Sequence, residues 1–127
     1  MNEQQLFDHL KTHLYPDLVK SECMYDSFDC ISEKAGHFIE LKCRQTHYLD
    51  LLVEQIKYRA LIEQAVSRNL LPFYINSTPL GIYSFDLTEL AEPVWTTRWM
   101  PATSEFSNRA KIEKLVGYLL VEDAIKL

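Results

Sequence analysis

Leu6, Phe7, Leu10 and Leu14 recur at three- and four-residue steps, the spacing of a helix over residues 4–14 with one buried face, closed by Tyr15-Pro16. Residues 18–25 interleave Val19, Cys23 and Tyr25 with Lys20 and Glu22, a short strand. Residues 28–32 and 37–44 flank Glu33-Lys34-Ala35-Gly36, a four-residue connection with glycine where a positive φ is wanted, and together predict a β-hairpin. Thr46 reads as the N-cap of a long helix reaching about residue 69, rich in Leu, Glu, Gln and Lys and free of Gly and Pro. Residues 73–76 and 81–87 then read as strands joined by a turn at 77–80. Residues 92–106, with Pro93, Trp95, Trp99 and Pro101, predict an extended loop or short edge strand, and 109–123 a final helix. Strands in the middle with helices before and after predict an α/β fold: a mixed central sheet covered by helices on both faces, one domain over 1–127.

Composition narrows the class. The chain has 127 residues, 47% of them hydrophobic and 24% charged, with 3 glycines and 5 prolines, which excludes disordered and fibrous proteins. Cys23, Cys30 and Cys43 are odd in number and form no C-x-x-C pair, which argues against a disulfide framework or a zinc site and for a reducing cytoplasm. No apolar run is long enough to span a membrane, and the polar first ten residues do not resemble a signal peptide, so no membrane partner is expected. Thirteen basic against 18 acidic residues give a net charge of −5, the opposite of a general nucleic-acid binder. Locally, Arg98, Arg109, Lys111 and Lys114 outnumber Glu105 and Glu113, a stretch read as the charged face of a helix.

The chemistry concentrates in the hairpin. Strand alternation puts Ile39 and Leu41 on one face and Glu40 and Lys42 on the other. With residues 33–36 as the loop, Ser32 pairs with His37, and counting outward sets Asp29 directly opposite Glu40 on the same face. Two adjacent carboxylates repel unless a cation lies between them, and Mg²⁺ prefers such hard oxygen donors with retained waters. A lysine beside them would orient or deprotonate water and stabilise a pentacovalent transition state, which is machinery for phosphodiester hydrolysis.

Asp29, Glu40-Leu41-Lys42 on the next strand and a long helix after it resemble the PD-(D/E)XK nuclease superfamily, the fold of restriction endonucleases, over residues 1–87. The segments 38–44 and 53–58, and the tail near Trp95, residues 101–103 and 111–119, are similar to small stand-alone phage-type nucleases of that superfamily. The resemblance implies a restriction-endonuclease-like mixed sheet flanked by helices and a Mg²⁺-dependent DNA endonuclease in which Mn²⁺ can substitute. Asp29 and Glu40 would be metal ligands and Lys42 the catalytic lysine. A homodimer is implied if two strands are to be cut, as in a Holliday-junction resolvase, and for a phage-encoded chain the host cytoplasm is the setting. Phe28 stands where the family often has proline, and Asp26 is the alternative first ligand. A catalytically inactive nuclease-fold protein that binds nucleic acid or protein as a regulator is the competing reading, favoured by the net charge.

Further candidates follow. Glu3 shares the stripe of Leu6 and Leu10 and would add a metal contact as first-helix glutamates do in part of the superfamily. Helical geometry sets Leu52, Gln55, Arg59, Ile62 and Val66 on one face and Lys57 on the other, whereas the resemblance favours Glu54 and Lys57 near the site. Glu54, Gln55, Lys57 and Arg44 are accordingly held as residues that support the ligands or touch DNA. His9 and His13 have ligand spacing but no third donor nearby, and Trp95, Trp99 and Phe106 read as lid or core aromatics that could also stack on bases.

Overall fold

A computed structural model describes residues 1–21, 28–102 and 110–127. Asp26, Cys23 and most of the expected 18–25 strand, together with Glu105, Phe106 and Arg109, lie outside the described residues. The chain is mixed α/β. Its elements run α1 (Glu3–His13), β1 (Val19–Lys20), β2 (Phe28–Ser32), β3 (His37–Cys43), β4 (Asp50–Glu54), α2 (Gln55–Ser67), β5 (Leu71–Thr78), β6 (Gly81–Asp86), β7 (Thr96–Pro101), β8 (Lys111–Leu120), a 3₁₀ turn (Val121–Asp123) and β9 (Ile125–Lys126).

Asn2 starts α1 with a capping box: its side chain accepts from the Gln5 amide at 2.8 Å, and its own amide donates to the Gln5 side chain at 2.9 Å. The β2–β3 turn has Gly36 at φ 75, and Asp17 clamps it by accepting from Ser32 Oγ at 2.7 Å and from the Lys34 amide at 3.0 Å. Six strands form one sheet in the order β1-β2-β3-β5-β6-β9, antiparallel except for the parallel pair β3 and β5. A parallel pair needs a crossover, and β4 with α2 supplies it.

The two faces of this sheet carry different cores. Leu6 and Leu10 of α1 pack with Leu18, Cys30, Ile39, Leu41, Phe73 and Ile75. Tyr58, Leu61 and Ala65 of α2 pack with Phe38, Tyr74 and Phe85 on the other side, joined there by Leu51, Val53 and Leu119. Those last three come from a second, antiparallel sheet of order β4-β8-β7.

Two expected helices are corrected. Residues 50–54 of the expected 46–69 helix are strand β4, because Leu51 and Val53 alternate into the core while their backbone pairs with β8; α2 therefore starts at Gln55 with Glu54, not Thr46, as its N-cap. The 109–123 segment is β8, a ten-residue strand held between β4 and β7. Gly117 marks the difference: a Cβ there would stand 2.5 Å from Pro93 Cβ and 3.0 Å from the Trp95 ring, so a bare backbone lets residues 93–95 cross the strand. The 92–106 segment contributes edge strand β7. Among the described residues no helix is long and apolar enough to cross a membrane.

Candidate active site

Ser32 pairs with His37 and Asp29 with Glu40, so the two carboxylates share the face of the sheet that α2 covers. Asp29 is 5% exposed and Glu40 is half-buried. Burial, and then the neighbouring Asp29 charge, push the Glu40 carboxyl up to about 7, with Glu54 adding to the rise and Lys57 and Lys42 opposing it. Lys42, two residues on and on the same face, has an exposed side chain. Four charged side chains, Asp29, Lys42, Glu54 and Lys57, are thus close enough to act electrostatically on the Glu40 carboxyl.

The junction of β4 and α2 positions two of these. Leu51 and Val53 anchor β4 in the core, and alternation turns Glu54 away from them. Its carboxylate takes Lys114 Nζ of β8 at 2.7 Å and Lys57 Nζ at 3.4 Å. Burial raises this carboxyl, but the Lys114 hydrogen bond and the two lysine charges outweigh it and hold it below the usual range. The α2 core stripe is Tyr58, Leu61 and Ala65, with Arg59 and Val66 exposed, which corrects the expected Leu52-Gln55-Arg59-Ile62-Val66 face. The phase of α2 is set where β4 ends, so Lys57 turns toward Glu54. Gln55 opens the helix, half-buried.

Arg44 is half-buried and held on three sides. Its Nε donates to Asn76 Oδ1 at 2.7 Å, and its Nη2 donates to the Leu52 carbonyl at 2.5 Å and the Tyr74 hydroxyl at 3.3 Å, which ties β4 to β5 just beyond the end of β3. Tyr74 is the register partner of Glu40 and Asn76 that of Lys42. Burial first, then the Glu40 and Glu54 charges, keep the Tyr74 phenol protonated against the pull of Arg44. Asn76 Nδ2 is buried without a hydrogen-bond partner.

Glu3 is placed elsewhere. It begins α1, which packs on the opposite face of the sheet, and its charge acts on the Cys43 thiol there, so the expected grouping of Glu3 with Asp29 and Glu40 is not formed. Burial, then Asp29, push the Cys30 thiol up to about 12, which makes it a core residue and not a nucleophile. The His9 and His13 rings lie 4.5 Å apart on α1, His9 half-buried and His13 exposed. Trp95 packs edge-on against Tyr58, whereas Trp99 is 64% exposed.

Among the described residues no three His, Cys, Asp or Glu side chains converge as metal ligands. The donor set that fits a divalent cation is the Asp29–Glu40 pair: hard oxygens whose mutual repulsion a cation would relieve, in number suited to an ion that keeps several waters. Sequence reasoning missed Tyr74, Asn76 and Lys114. The polar residues inside the buried run 72–77 were the available signal for the first two; Lys114 was hidden by the helix expected over its strand. In comparisons with known proteins, no family model, curated protein or solved structure matches the chain.

Proposed function

We propose that the protein is a Mg²⁺-dependent endonuclease of the PD-(D/E)XK type, with a restriction-endonuclease-like fold, that hydrolyses phosphodiester bonds in DNA and works as a homodimer in the cytoplasm. The observation that carries this reading is the pairing of Asp29 with Glu40, with Lys42 beside Glu40 on the same face. Asp29 and Glu40 would hold Mg²⁺ or Mn²⁺, which when bound neutralises a phosphodiester oxygen and lowers the pKa of a water. Lys42, exposed and free to swing on its stem, orients the attacking water and answers the charge that develops on phosphorus. Glu54 holds Lys57 and Lys114 at the edge of the site. Arg44, fastened to Asn76, Tyr74 and the Leu52 carbonyl, keeps the strands beneath the ligands in register.

The test is incubation of the protein with linear, supercoiled, single-stranded and branched DNA in Mg²⁺, Mn²⁺ or EDTA, beside Asp29→Asn and Glu40→Gln. Cleavage that needs the metal and both carboxylates is the expected result. Cleavage that persists in either variant, or no cleavage of any form, overturns it.

A further inference from the structure

β8 is longer than the sheet it belongs to. β4 pairs with it only from Val116 to Leu120, while β7 pairs with it from Lys111 to Val116. Beyond β4 the two strands therefore continue as a two-stranded ribbon, with Arg98, Trp99, Ile112 and Leu115 exposed on it. Two-stranded ribbons are marginal in water, and Met100 and Lys114 are the half-buried residues of this one among Thr97–Pro101 and Lys111–Leu115.

Its charges follow a line. Arg98 is the register partner of Lys114, so two cations stand directly opposite each other on one face, an arrangement that destabilises an isolated ribbon. Lys114 is answered by Glu54 at 2.7 Å. Arg98 Nη1 donates to the Tyr118 hydroxyl at 2.8 Å, a neutral acceptor, and among the described residues no carboxylate pairs with it. Tyr118, four residues from Lys114 along β8, lies on this same face. The face runs from Arg98 through Lys114 to Glu54 at the head of α2, where Lys57 joins it, and the Lys57 and Glu54 charges reach Glu40. In a chain of net charge −5, a line of cations that starts on an exposed ribbon and ends at the paired carboxylates is a local exception with a direction.

We propose that this face of the β7–β8 ribbon, centred on Arg98 with Lys114 behind it, is the track that seats the phosphodiester backbone of DNA entering the Asp29–Glu40 site. This rests on the nuclease reading above. A guanidinium presents a planar fork to phosphate oxygens, and the Tyr118 hydroxyl that holds one of its nitrogens has its own proton left to donate to the same phosphate. A backbone contact of this kind positions the strand and carries no sequence information.

The test compares wild type, Arg98→Ala and Lys34→Ala on whichever DNA form the wild type cleaves, with melting temperature and sedimentation recorded for each. Lys34, exposed in the β2–β3 turn, removes the same unit of charge away from the ribbon. The expected result is a KM raised about tenfold in Arg98→Ala, with kcat within about twofold and a salt dependence of kcat/KM shallower by about one contact, while Lys34→Ala matches wild type. If Arg98→Ala and Lys34→Ala behave alike, the track is overturned while the nuclease reading stands. If Arg98→Ala turns a dimer into a monomer, the ribbon joins two copies and the track is likewise overturned. If wild type cleaves no DNA, both readings fall together.

Discussion

The two faces of the six-stranded sheet are made by the same strands and do opposite things. On the α1 side, Cys30, Ile39, Leu41, Phe73 and Ile75 meet Leu6 and Leu10 in a mainly apolar layer, with Ser32, His37 and Ser84 on the same face. On the α2 side, one residue out of step along the same strands, Asp29, Glu40, Lys42 and Asn76 share the face on which Phe38, Tyr74 and Phe85 pack. Side-chain alternation lets β2, β3 and β5 place a mainly apolar set and a charged set on opposite faces. Changes on the α1 side should therefore cost stability, and changes on the α2 side should cost chemistry.

The largest effect tests the α1 face. Ile39→Ala, at a fully buried position, is expected to lower unfolding free energy by about 2–5 kcal/mol in urea titrations. A loss under about 1 kcal/mol would mean that the α1 layer is not the stabilising one. Next comes Lys42→Ala on the opposite face, which should leave stability and Mg²⁺ binding near wild type while cleavage falls by about 10² or more. Arginine should not rescue it, since a guanidinium is longer and never deprotonated. A wild-type rate in Lys42→Ala would break the contrast.

A smaller effect lies in pH. The Glu40 carboxyl sits at about 7 in the fold against an ordinary 4.5, so the folded state holds a proton that the unfolded chain has released. That contribution is fully present below pH 4.5 and is lost as pH rises through about 7. Melting temperatures of the metal-free protein should fall across that window, and Glu40→Gln should flatten the fall. Asp29→Asn should move the window to lower pH, because the Asp29 charge is part of what raises Glu40. The same fall in both variants and wild type would remove Glu40 as its source.

The smallest contrast is thiol reactivity. Half-buried Cys43 should react with a disulfide reagent in the native state, whereas Cys30, fully buried and held up to about 12, should react only as fast as the chain opens. Mass spectrometry of the labelled peptides reads the difference.

The hairpin and its carboxylate pair were legible because everything that decides them is local. Four turn residues with a glycine at their end set the register, and register sets which side chains face one another, so Asp29 and Glu40 could be paired by counting. The first helix was legible for the same reason, from its spacing alone. Residues 50–54 and 111–120 were not. Both segments have helical composition in isolation, yet 50–54 and 116–120 are strands paired with each other more than sixty residues apart in the chain, and 111–116 pairs with β7. A helix satisfies its backbone within its own segment, and a strand needs a partner the linear pattern does not name. The long-range β4–β8 pairing decided where α2 begins, which way Lys57 turns and that Lys114 reaches Glu54, and the β7–β8 pairing carries the ribbon on beyond it. The carboxylate pair was written in the sequence, and the cations around it were placed by the tertiary structure.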